Sequence, residues 1–371
     1  MTGDFFFRRL GRWSHALARR HSLSAFGAQL AGRPGGRATS ALLIITSLLL
    51  YFLILALLAL GLWLCSLSFP GFGLVPGLPL VAMAVELRPR FNRVPKYATE
   101  VTAAEAPELH RLIGHVAAAL SAPIPAVYVE EDVFNASATL VGLRRRPVLV
   151  LGLPLWVSLP AQQRVALLGH ELGHFVNGDP RRGLFVSPAV IALQRVDEWL
   201  QPVVGVASIV TRLVLGLVTG VLRAAILPFR VGIALLAVRD GQRAEYRADR
   251  LAATVGGRTA AVDLLDILLL RDSVVMLVMR NARTGRPLAE WPETIAKLLV
   301  EVRPNLAARR ESSLDNVSLF DSHPPNGLRS RALESLTSES AAVVVTSAQN
   351  ARIDAELAEP AARSARTLKR L

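Results

Sequence analysis

The apolar positions of the chain fall into blocks. Residues 41–66 (ALLIITSLLLYFLILALLALGLWLCS) run without a charge. A helix needs roughly 20 apolar residues to cross the hydrocarbon core of a bilayer, so this block is long enough. It begins well inside the chain and exceeds the roughly 7–15 apolar residues of a cleavable leader, which reads it as a retained span. A second uncharged stretch, 67–85, contains Pro and Gly (FPGFGLVPG). Such residues are tolerated within membranes. Two readings stand: a second span that completes a hairpin, or one span plus an interfacial loop. A third block, 202–238, is interrupted by Arg212, Arg223, Arg230 and Pro228. Its length suits two short crossings or a helical pair lying partly in the membrane. Arginine inside a span is costly unless it snorkels or faces protein.

Between the second and third blocks the pattern becomes that of a folded domain. A helix is expected over 103–120. A β-like pair is expected over 138–143 and 147–153, joined through Arg144, Arg145 and Arg146. From Pro160 onward the apolar spacing is helical, with Val165, Leu168 and Leu172 on one core-facing side. Pro160 suits the first turn of that helix. Gly178 and Pro180 end it, because proline disfavours helix in the residue before it. Residues 337–371, rich in Ala, Ser and Arg, read as a helix or a flexible tail.

Composition sharpens this picture. Of 371 residues, 52% are hydrophobic and only 19% charged, against about 25% charged in ordinary soluble domains. Such an apolar chain is not intrinsically disordered. The formal net charge is +13, and all but three of the 42 basic residues are arginine, the exceptions being Lys96, Lys297 and Lys369. Arg8, Arg9, Arg12, Arg19, Arg20, Arg33 and Arg37 precede the first block, and Arg88, Arg90, Arg93 and Lys96 follow the second. The connection between the two carries no charge. Basic residues mark the cytoplasmic side, so both ends of the hairpin, and the polar domain after it, are expected in the cytoplasm. Anionic lipid would meet the juxtamembrane arginines there. The arginines are dispersed and no aromatic–basic module accompanies them, so no nucleic-acid partner is expected. The single cysteine, Cys65, excludes an intramolecular disulfide.

The candidate chemistry sits in the helix after Pro160, as His170-Glu171-x-x-His174. Histidines at i and i+4 project from one face of a helix, and their ring nitrogens can reach one zinc ion. Glu171 can hold a water beside them and take its proton. A catalytic zinc needs a third protein ligand and an open fourth position. Glu245 and Asp249, one turn apart in Arg243-Ala-Glu245-Tyr-Arg-Ala-Asp249, supply a candidate third ligand and an acceptor to orient a ligand histidine. His174 and Glu245 must meet on one ion, so the block between them crosses the membrane an even number of times, two or none. The helical pair is preferred, giving about four membrane segments.

HELGHxxNGD followed by an apolar insert and ExxAD resembles the M48 metallopeptidases, which include the HtpX heat-shock proteases and the CAAX prenyl proteases. The resemblance extends over 87–337 and includes His323-Pro324-Pro325 with Arg329 after it. It implies that His323 steadies the charge of the tetrahedral intermediate and that Arg329 helps hold the site. Ser330 departs from the pattern, where the family usually carries an aliphatic residue. It also implies that Asn135, Ala136 and Ala138 border the cleft, with a strand edge that binds extended peptide.

The reading is then an α+β, predominantly α chain. A gluzincin-type zincin metallopeptidase domain with a small antiparallel sheet is joined to transmembrane helices. Its expected parts are a basic cytoplasmic tail (1–40), a transmembrane hairpin (41–86), the first part of the peptidase domain (87–201), a membrane-associated helical pair (202–238), the second part of the domain (239–337) and a C-terminal tail (338–371). The expected function is that of a multi-pass zinc endopeptidase of the cell's inner membrane with a cytoplasmic catalytic domain, one Zn2+ per chain and polypeptide substrates. By resemblance to HtpX these are misfolded or exposed segments of membrane proteins. The alternatives are a CAAX-type prenyl-peptide protease and a non-catalytic zinc-binding membrane scaffold.

Overall fold

A computed structural model describes residues 2–31, 37–67, 71–88, 92–179, 191–196, 198–201, 208–318, 321, 323–337 and 340–370. Arg33, Arg90, Pro180 and the first part of the third apolar block, 202–207, lie outside the described residues. The chain forms two compact units: residues 1–34, 92–180 and 241–371 in the first, and 35–91 and 181–240 in the second.

The first unit is built on a four-stranded sheet of order β1-β2-β4-β3. The strands are β1 (Thr99–Glu100), β2 (Ala126–Glu130), β3 (Ala136–Val141) and β4 (Arg146–Gly152). The sheet is mixed, not antiparallel as expected: β3 and β4 form the anticipated antiparallel hairpin, but β4 lies parallel to β2. The reason is burial. Val148, Leu149, Val150 and Leu151 of β4 are all buried, as a strand covered on both faces requires. The more polar β3 therefore takes the edge, and β4 docks against β2. Gly142 and Arg145 adopt positive φ at the hairpin turn.

Helices α4 (Pro107–Leu120), α5 (Leu153–Ser158) and α6 (Ala161–Asn177) pack around this sheet. Val165, Leu168 and Leu172 of α6 are fully buried, the face their spacing predicts. Pro160 caps the start of α6, and Gly178 ends it in the left-handed conformation at φ +72°.

Both expected tails are folded. Residues Thr2–Leu30 form helix α1, which packs on the helix at Asn326–Glu334 and buries Ala18 and Ser22 one turn apart. His15 Nε2 lies 2.9 Å from the carbonyl oxygen of Asp315. Two helices, Ser347–Glu356 and Ala358–Arg370, close the chain. Ile353, Leu357, Ala361, Ser364 and Leu368 are buried, a seam of large and small residues with helical spacing. A capping box at Thr346 and Gln349 starts the first of them. Glu356 accepts from the backbone N–H groups of Glu108 and Leu109, at the start of α4. Buried Arg164 of α6 bonds Asn350 and Asp354.

The second unit contains α2 (Arg37–Leu67) and α3 (Leu74–Glu86). They touch through Gly61, Cys65 and Gly77. A Cβ added at Gly77 would lie 2.8 Å from the Gly61 carbonyl oxygen, so only glycine allows this approach. At 1.5 Å per residue, α3 is about 20 Å long, short of the roughly 30 Å hydrocarbon core. Arg195, from a helical stretch over 191–196, donates to the Glu86 carbonyl oxygen at 2.8 Å.

Helix α7 (Ile209–Gly256) runs through both units. Where a pair of helices is expected in 202–238, residues 209–238 belong to this single helix. Pro228 lies within it without ending it. Its apolar part stops at Val238, and the next residues, RDGQRAEYRADR, are polar. Among the described residues two helices, Ser40–Leu67 and Thr219–Gly256, have the length and apolarity to cross a membrane.

Candidate metal centre

Glycine brings the two functional helices together. A Cβ at Gly169 would lie 3.0 Å from Ala252 Cα, and one at Gly173 would lie 3.3 Å from Ala248 Cα. The α6 backbone can therefore lie directly against the last turns of α7. Asn177 adds a bond from its Nδ2 to the Ala244 carbonyl oxygen. Glu245 is thereby carried to His170 and His174, although 70 or more residues of chain lie between them.

His170, His174 and Glu245 each present one donor atom, and these atoms lie within 4.8 Å of one another. The Nε2 atoms of the two histidines are 3.3 Å apart. Glu245 Oε2 lies 3.5 Å from His170 Nε2, and Oε1 lies 3.7 Å from His174 Nε2. For zinc at 2.0–2.1 Å from each nitrogen, tetrahedral geometry places ligand atoms about 3.3–3.4 Å apart. The donor spacings are close to that value.

The surrounding contacts set the tautomers. His170 Nδ1 is 3.1 Å from Asp249 Oδ1, and His174 Nδ1 is 3.0 Å from Asp179 Oδ2. Each Nδ1 thus donates to a carboxylate, which leaves a lone pair on each Nε2. With His170 deprotonated, the two Nε2 lone pairs face each other at 3.3 Å beside a carboxylate, a site that attracts a cation. Glu245 Oε2 has 2.8 Å to His323 Nδ1 and 3.2 Å to Arg329 Nη2. Neither contact is aligned as a hydrogen bond, so this buried oxygen also lacks a hydrogen-bond partner. The donor set of two imidazoles and a carboxylate suits zinc.

The charges around the cluster are strongly coupled. Burial alone would lower the His170 pKa, but the Asp249 and Glu245 carboxylates outweigh it and push it up to about 10. Burial alone would raise Glu245; Arg329 and the imidazoles of His170 and His323 hold it well below the ordinary carboxylate range. Asp249 is likewise lowered, again mainly by Arg329. Arg329 grips Asp249 with two bonds, Nε to Oδ2 at 2.8 Å and Nη2 to Oδ1 at 2.7 Å. Such forked pairs are the stronger and more directional ion pairs.

The sequence-predicted residues can now be placed. His170, His174 and Glu245 converge, and Glu171 is buried beside them on α6. Asp249 reaches His170, and Arg329 reaches Asp249. His323, whose side chain is 62% exposed, faces Glu245. Asn135, Ala136 and Ala138 lie at the start of β3, the edge strand that packs beside α6. Asn135 accepts from Gly152 N at 2.8 Å. Sequence reasoning missed Asp179. A second imidazole needing its own acceptor, with an acid immediately past the helix end, was the available signal. Ser330 is fully buried and its Oγ bonds Asp266 Oδ1 at 3.2 Å, which accounts for a hydroxyl at this position.

The family model described as peptidase family M48 matches residues 103–337. No solved structure matches the chain.

Proposed function

Because the chain belongs to peptidase family M48, we propose that it is a membrane-embedded zinc endopeptidase with a gluzincin-type catalytic domain. The observation that carries this reading is the pair of His170 and His174 Nε2 atoms turned toward each other beside Glu245. Zinc held there would supply Lewis acidity, polarising a scissile carbonyl and making water a stronger acid. The chain's own residues do the rest. His170, His174 and Glu245 would hold the ion. Asp249 and Asp179 orient the two imidazoles through their Nδ1 atoms. Arg329 keeps Asp249 charged and in place. Glu171 takes a proton from the attacking water on its carboxylate and delivers it to the leaving amine. His323, beside Glu245 and open to solvent, donates toward the developing oxyanion. The outer edge of β3, which no further strand pairs among the described residues, with Asn135, Ala136 and Ala138 at its start, aligns the substrate as an added strand.

The substrates proposed are misfolded or exposed segments of membrane or cytoplasmic polypeptides. A closed structural zinc site would need four protein ligands, and among the described residues the cluster offers three. Chelation tests the reading. Protein purified in detergent should lose casein cleavage on stripping with chelator and regain it with one equivalent of zinc. Full zinc occupancy without cleavage of casein or of denatured membrane protein would overturn it.

A further inference from the structure

The imidazole that faces Glu245 also lines a cavity. A space of about 390 Å³ lies against His323, on the side formed by the last turn of the helix Arg258–Leu269, the helix Leu306–Ser312 and the segment leading into Asn326–Glu334. Its apolar walls come from Leu268, Leu269, Leu270, Val317, Pro324 and Pro325. This volume is within the usual range of ligand pockets and would hold a large side chain. The lining carries one charge of each sign, Arg309 and Asp321. Asp321 is already engaged, accepting from Ser318 N at 2.6 Å. Ser312, Ser313 and Asn326 add neutral polar groups, so the six apolar residues form half of the lining and offer the contact for an apolar side chain.

The walls are braced. Arg310 makes two bonds to Asp266, at 2.9 and 2.7 Å, and a third to Glu334 at 2.7 Å. A Cβ at Gly327 would come 2.2 Å from the Arg310 carbonyl oxygen, so the two helices meet backbone to backbone. These contacts tie the helices that border the cavity to one another.

We propose that this cavity is a specificity subsite of the enzyme, taking a bulky apolar side chain of the polypeptide substrate within about two residues of the bond cleaved. The distance follows from His323. His323 both lines the cavity and lies with its Nδ1 2.8 Å from the metal ligand Glu245, and an extended chain advances about 3.3 Å per residue. Burial of a large aliphatic or aromatic side chain there anchors the substrate beside the site. The proposal rests on the peptidase reading above.

Two measurements test it. A peptide library cleaved by the full-length protein in detergent should show enrichment of Leu, Ile, Met or Phe at one fixed position within two residues of the cut. Leu269→Trp, which fills the cavity, should lower kcat/KM for those peptides by about ten-fold or more while sparing peptides with Ala at that position. Leu269→Ala should shift the preference toward larger residues. Binding gives a readout free of turnover. In a Glu171→Gln background, fluorescent peptides with Phe at that position should bind more tightly than their Ala counterparts, and Leu269→Trp should abolish the difference. Identical cleavage and binding profiles in all three proteins, with cleavage intact, would overturn the subsite. Absence of any Glu171-dependent cleavage would instead overturn the peptidase reading, and the subsite with it.

Discussion

At the residue scale the centre depends on charges that hold one another in place. Asp249 is the hinge of that arrangement, receiving from His170 Nδ1 and from Arg329. Replacing it with Asn keeps the shape but weakens the hold on the imidazole. Asp249→Asn should lower zinc affinity about 10–100-fold in chelator competition, and wild-type affinity would remove Asp249 from the site. Protons compete with metal at His170, whose pKa is pushed up to about 10. Zinc binding near neutral pH should therefore release a proton, and apparent affinity should rise with pH until His170 titrates. Calorimetry in two buffers of different ionisation enthalpy measures this release, and a pH-independent affinity between 6 and 9 would contradict it. After chelation, the same raised pKa makes the charged His170 stabilising. That stability is complete below about pH 6.5, the ordinary histidine value, and is lost as pH rises through about 10. Much of this site was legible in sequence, because His170, His174, Glu245 and Asp249 stand at helical spacings that imply a shared face. Asp179 was less legible. It lies past Gly178, where a left-handed residue redirects the chain and helical spacing no longer predicts direction.

At the scale of elements, glycine and small residues decide what meets what. The approach of α6 to the end of α7 depends on Gly169 and Gly173 facing Ala248 and Ala252. Gly169→Val should destabilise the domain by about 1–3 kcal/mol through overpacking and weaken zinc binding at the same time. Thermal unfolding and metal analysis check this, and a variant as stable and zinc-loaded as wild type would contradict the packing. The C-terminal helices follow similar logic. Truncation after residue 345 would remove Asn350 and Asp354 from buried Arg164 and Glu356 from the start of α4. Leaving a buried charge uncompensated typically costs about 3–5 kcal/mol, so the truncated chain should fail to accumulate as folded protein. Soluble, zinc-binding truncated protein would refute that role. The helical periods of α6 and the β3–β4 hairpin were readable because large apolar residues mark their buried faces. The folded ends were less readable, since Ala18 and Ser22 at one end and Ala361 and Ser364 at the other stand at buried positions where large apolar residues would have marked the face. Strand order was hidden for another reason: periodicity reports which face of a strand is buried, not which neighbour it takes.

At the scale of the whole molecule, what matters is the side on which each segment lies. If His174 and Glu245 bind one ion, as proposed, the chain between them crosses the membrane an even number of times, two or none. Helix α7 supplies a single run where two were expected. If it crosses, a second crossing is required between Asp179 of the site and the start of α7. A reporter placed in 202–207 should then read the outer side, as should one near Gly71, while one at Leu371 reads the cytoplasm. A cytoplasmic signal from 202–207 would mean that α7 lies along the membrane without crossing it.

The central claim is that the His170–His174–Glu245 cluster holds a zinc ion that works through Glu171. The most direct measurement pairs metal content with turnover in Glu171→Gln. The account predicts one zinc per chain in both proteins, with cleavage in the variant reduced by at least about 10²-fold, the lower end of what a general base contributes. A variant that keeps its zinc and cleaves at the wild-type rate would contradict it.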